Sequence, residues 1–156
     1  MKTLLVAVDF SDQTERVLSA ACELAALSDS VTLIVLGVTP PQSLTPEAFG
    51  VAQVTDATLL GDEYAAEALQ DIAARLRHDG FTVQTHHLVG DPGPTIVECA
   101  TGHGCDYIVI GSHGHGAVRH ALMGSVTLAV INHARCPVLI VPTLAIRATS
   151  MQSHPH

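Results

Sequence analysis

Apolar positions in this chain fall into short unbroken runs separated by stretches with a helical period. Thr3–Val8 is the first run, and Asp9 stops it. A run without alternation is the pattern of a strand covered on both faces, as in a parallel sheet. Val31–Val38, Asp106–Ile110 and Val138–Val141 repeat it, whereas Phe81–Val89 alternates more and suits a sheet edge.

Between the runs the period changes to that of helices. After Asp9, Ser11 and Asp12 are candidate N-caps, with Glu15 three residues beyond Asp12. Val17, Ala21, Leu24 and Ala25 then share one face of a helix expected to run to about Leu27. A second helix is expected over Asp62–His78, on the spacing of Ala65, Ala68, Leu69, Ile72 and Leu76, with Gly80 ending it. Asp91 and Pro92 open a third helix, which Thr101–Gly104 closes. A fourth begins at Gly124-Ser125 and ends near Asn132–Arg135. Residues 40–61, with their prolines and glycines, read as one long surface loop placed to cover a ligand at a strand end.

Five strands alternating with four helices make an α/β protein, an open parallel five-stranded sheet with helices on both faces. Residues 1–142 form one domain in this reading, and residues 143–156 a C-terminal tail. The length of 156 residues supports a real core without disulfide staples. A net charge of −8 argues against nucleic acid and anionic membranes as partners. Leu4–Val8 is too short for a membrane span or a signal segment. Cys22, Cys99, Cys105 and Cys136 lie among apolar neighbours without a CxxC pair, which points to reduced thiols and a cytoplasmic protein.

The chemistry concentrates in Gly111–Ser125. A strand is expected to end at Gly111, glycines punctuate the loop, and a helix is expected from Gly124-Ser125. Glycines admit a ligand close to backbone, and the first amides of a helix point free N–H groups and the positive dipole end at an anion. Lys2 is the only lysine, so the Walker A pattern is excluded, and His113 stands where a dinucleotide fingerprint needs glycine. With few cations in the chain, an anion must rest on backbone amides, Arg119, histidines and a metal counter-ion.

The spacing Gly111, Gly114, Gly124, Ser125 resembles the ATP-binding signature of the universal stress proteins. Val6–Ser11, Gly90-Asp91-Pro92 and Arg135–Pro142 extend that resemblance over nearly the whole domain. It implies the sheet order 3-2-1-4-5 of a Rossmann-like, adenine nucleotide alpha hydrolase-like fold. It also implies ATP, or ADP or AMP, with magnesium as the ligand. On that resemblance Asp9 contacts the ribose hydroxyls, the Val38 backbone meets adenine, and Ala7 is a packing wall. Gly111, Gly114, Gly124 and Ser125, with the Val126 and Thr127 amides, hold ribose and phosphates. For Thr127 a hydroxyl turned to its own helix backbone is an equal alternative.

His113 and His115 are expected as phosphate donors or solvated loop residues, and with His120 they form no expected metal site. His86 and His87 read as exposed. Two functions stay open: a regulatory module that responds to nucleotide, and a slow ATP hydrolase. Hydrolysis needs a base and charge stabilisation. The loop offers no lysine and no clear second carboxylate, and the sequence shows nothing that fixes His113 or His115, so binding without a catalytic residue is expected. The aliphatic strand Val138–Val141, an unprotected edge in the implied order, is expected to form a homodimer.

Overall fold

The computed structural model describes residues 1–41, 54–113 and 123–142, with the side chains of 54–62 excepted. Its strands are β1 (Lys2–Val8), β2 (Val31–Thr39), β3 (Thr82–Val89), β4 (Tyr107–Gly111) and β5 (Val138–Val141). They form a five-stranded sheet in the order β3-β2-β1-β4-β5, every pairing parallel. The implied order is the observed one, and the alternating β3 lies at an edge.

Helices α1 (Thr14–Ala25) and α2 (Val54–His78) cover one face, where Val17, Leu18, Ala21, Leu69, Ile72 and Leu76 pack on Leu4, Val6, Leu33 and Val35. Helices α3 (Pro92–Gly102) and α4 (Ser125–His133) cover the other, with Ile96, Cys99, Ala100 and Val130 on Leu5, Ile34, Leu36 and Ile108. Leu5 and Val6 face opposite ways and both are fully buried. Burial on both faces is why the run is apolar without alternation. Helices α3 and α4 approach closely: a Cβ on Gly93 would stand 2.7 Å from that of Ala129.

Three helix boundaries depart from the sequence expectation. Helix α1 begins at Thr14 behind Gln13, which makes no side-chain cap. Neither Ser11 nor Asp12 is the cap residue; the Ser11 hydroxyl is donated to Asp9 and accepts from the Gln13 amide at 3.3 Å. The helix closes at Ala25, not Leu27, where the Leu27 amide turns to the Leu24 carbonyl. Helix α2 starts at Val54, well inside the expected loop, and carries Gly61 in its interior. A mid-helix glycine costs about 1 kcal/mol relative to alanine, which lowers helicity without ending a long helix.

Candidate functional site

The sheet parts at its C-terminal end. Strand β1 stays paired with β2 as far as Val8↔Gly37, but with β4 only as far as Val6↔Val109. Strand β4 continues to Gly111 beside Val141 of β5. A crevice therefore opens between the ends of β1 and β4, where the chain reverses its direction of travel across the sheet, the usual place for a ligand in such folds.

Asp9 leaves β1 at one lip of this crevice. Its Oδ1 accepts the Ser11 amide at 3.1 Å and the Ser11 hydroxyl at 2.7 Å, so the carboxylate is held rather than swinging in solvent. The spacing Asp-x-Ser is the sequence signal of such a turn, and Ser11 serves that turn instead of capping α1. On the α3/α4 face, Ala7, Val38 and Val126 pack around the same apolar cluster. Residues distant in sequence thus line one apolar cluster on this face.

The other lip is built by β4 and α4. The Gly124 amide donates to the Ser112 carbonyl at 2.8 Å, and the Thr127 hydroxyl donates to the Gly111 carbonyl at 2.7 Å. Thr127 is buried, and its hydroxyl bonds the strand end instead of its own helix. These two bonds fix the start of α4 against β4. The amides of Ser125, Val126 and Thr127 belong to the first turn, outside the helical ladder. Gly124 has φ −72, which any residue adopts. Among the described residues, a Cβ there would meet only the Ser112 oxygen at 3.5 Å and His113 Cα at 3.6 Å.

His113 is not solvated. It is 7 % exposed, with Nδ1 3.1 Å from the Ser112 hydroxyl. The sequence shows no group to hold this ring, and the adjacent serine supplies one. Gly114, His115, Arg119 and His120 lie outside the described residues. His86 and His87 are half-buried instead of exposed. His87 Nε2 pairs with the Thr39 hydroxyl at 2.8 Å, and the His86 ring stands 4.9 Å from that of His103. Among the described residues no cluster of three or more His, Cys, Asp or Glu side chains is arranged to hold a metal ion. The four cysteines are free, and burial pushes the Cys105 thiol up to about 11, with neighbouring Cys99, Cys136 and Asp106 adding to it. None of the described helices is long and apolar enough to cross a membrane.

A parallel sheet open at its switch point, with a helix N-terminus locked beside it, defines an open, doubly wound α/β protein. Residues 1–142 match the model of the universal stress protein family, and the chain belongs to that family. A universal stress protein of Synechocystis is 30% identical over 148 residues, covering 88% of this chain and 96% of the relative. The solved structure of protein MJ0577 of Methanocaldococcus jannaschii superposes with a TM-score of 0.78 at 30% identity, over 90% of this chain and 95% of that one. The universal stress protein from Archaeoglobus fulgidus, solved in complex with dAMP, has a TM-score of 0.63 at 30% identity, covering 90% and 97%.

Proposed function

We propose that this chain is a stress-response module that binds ATP, or ADP or AMP, in the crevice between β1 and β4. The nucleotide changes its conformation or assembly. In this reading Asp9 takes the ribose hydroxyls, the Val38 backbone meets adenine, and Ala7 forms a wall. Gly111, Gly114, Gly124, Ser125 and the Val126 and Thr127 amides take ribose and phosphates, with His113 and His115 as further donors.

One observation carries the proposal. Gly124 caps α4 with an ordinary φ and with room for a Cβ among the described residues. Among the described residues neither backbone conformation nor packing there requires glycine, and an anion brought close to the first amides of α4 is a reason for it. Adenine-nucleotide binding by the Archaeoglobus relative supports the same ligand class.

Magnesium would serve as the counter-ion of the phosphates, because the chain offers few cations. Bound to phosphates it would keep several of its waters and ask little of the protein. Cytoplasmic location and a homodimer through Val138–Val141 complete the proposal.

The test is calorimetric titration of ATP into the wild type and Gly124→Val. The wild type binds, and the variant folds but loses binding. Equal affinity in the two would overturn the site. Mass spectrometry of nucleotide co-purifying with the protein names the ligand.

A second reading, slow ATP hydrolysis, draws on the placement of His113 by Ser112 at 3.1 Å. A turnover number at saturating ATP that falls in His113→Ala would establish it.

A further inference from the structure

Phe10 is the only non-glycine residue with positive φ among those described, at 59°. Left-handed backbone is unfavourable for a residue with a Cβ, and glycine or asparagine would adopt it more easily. Such strain persists only where surrounding contacts hold it. Here the contact is with Gly37 on β2. A Cβ built on Gly37 would lie 2.7 Å from Phe10 Cζ and 2.9 Å from Cε2, so the ring fills the space of the missing side chain. Gly37 has no positive φ of its own and sits in regular parallel pairing with Val8 and His87. Its lack of a side chain serves the ring.

Phe10 thus pins the exit of β1 onto β2. The left-handed turn at Phe10 also folds Ser11 back over Asp9, where its amide and hydroxyl reach Oδ1 at 3.1 and 2.7 Å. We propose that Phe10 is the positioning residue of Asp9: its turn and its seated ring hold that carboxylate at the lip of the crevice, set to meet a ribose diol. The ribose part of this inference rests on the proposed function. The holding of Asp9 does not.

Two variants separate the ring from the turn. Phe10→Gly keeps left-handed backbone accessible and deletes the ring. Gly37→Ala keeps Phe10 and pushes its ring off the strand. In the ligand-free protein, amide hydrogen exchange at Ser11 reports the Ser11–Asp9 bond directly. Exchange should accelerate in both variants while the β1 amides stay protected.

In calorimetry, the wild type should prefer ATP over 2′-deoxy-ATP about tenfold, the size of a hydrogen bond to a charged group. The preference should fall toward one in Phe10→Gly and in Asp9→Ala, and Phe10→Gly should add nothing in the Asp9→Ala background. Affinity for 2′,3′-dideoxy-ATP, which has neither hydroxyl, should hold, since the α4 amides are untouched. Wild-type exchange at Ser11 in both variants would overturn the positioning role. So would an intact ATP preference in Phe10→Gly. Faster Ser11 exchange together with a wild type indifferent to the 2′-hydroxyl would instead support Phe10 as the holder of Asp9 and remove ribose from the proposed function.

Discussion

Thr127 donates its hydroxyl to the carbonyl oxygen of Gly111 across 2.7 Å, tying the first turn of α4 to the last residue of β4. Thr127 is buried, and the bond spans the loop between the two elements. Thr127→Val keeps the shape and removes the donor. Loss of one such bond costs about 1 kcal/mol, and the start of α4 is then free to drift from the strand. Urea denaturation should show that loss, and ATP affinity should fall with it. A variant as stable as the wild type would mean the bond contributes nothing net.

Much of this geometry was legible in advance, for different reasons in different places. The unbroken runs of β1, β2 and β4 announce strands buried on both faces, and Leu5 and Val6 are fully buried. The strand order was not in the periodicity; it came with the resemblance carried by Gly111, Gly124 and Ser125. Helix α2 reaches back to Val54 because one glycine at position 61 is too weak a breaker against the residues around it. The burial of His113 and the partner of Thr127 depend on contacts between β4 and α4 across the glycine loop. Local pattern does not encode such contacts. The strained backbone of Phe10 leaves no trace in composition either, since a phenylalanine is among the last residues expected at positive φ.

Asp106 sets up an acid-side dependence of stability. Its carboxylate accepts the Thr3 amide at 2.8 Å and faces Lys2 Nζ at 3.4 Å. The Thr3 hydrogen bond first, and then Lys2, hold its carboxyl below the usual range. A carboxyl with a depressed folded pKa stabilises the fold above its unfolded value, and that contribution is lost as pH falls through the folded one. Asp106→Asn should therefore be less stable than the wild type at neutral pH. The gap should close below about pH 4, the unfolded aspartate value. Denaturation midpoints across that range check it, and a gap independent of pH would refute the assignment.

Cys105 should behave in the opposite direction. Its thiol is raised to about 11, by burial first. Thiolate is the reactive form, so in the native protein a disulfide reagent should label Cys105 very slowly at pH 8 and faster toward pH 11. Unfolding should release it at once. The raised pKa also makes its contribution to stability full below the unfolded thiol value of about 8.5, and lost as pH climbs through 11. Rapid stoichiometric labelling of Cys105 at pH 8 in folded protein, located by peptide mapping, would contradict its burial.

The remaining prediction concerns the edge at β5. Val138–Val141 closes one side of the sheet without a charge or an internal proline, and Leu139 is 38% exposed. Beside it Leu24, Leu27 and Ala20 of α1 and the turn after it line a 440 Å³ groove with Leu139, Val141 and Pro142. An aliphatic edge that nothing among the described residues covers either aggregates or finds a specific partner, and two copies about a two-fold axis pair such edges antiparallel in a closed arrangement. The hydrogen-bond pattern says which positions do this. The carbonyls of Pro137 and Val141 accept the Ile108 and Ser112 amides, so alternate residues 137, 139 and 141 point their backbone groups at β4. Val138 and Ile140 point theirs outward. Proline at Val141 would cut the inner ladder and the core with it. Ile140→Pro removes an outward donor and leaves the inner bonds, a change edge strands tolerate. The wild type should sediment as a dimer at micromolar concentration, and Ile140→Pro as a folded monomer with β1 to β4 protected from hydrogen exchange. A monomeric wild type, with and without ATP, would end the dimer proposal. A dimer that forms only with ATP would give the module its output, because a nucleotide that promotes assembly must bind the assembled form more tightly by the same factor.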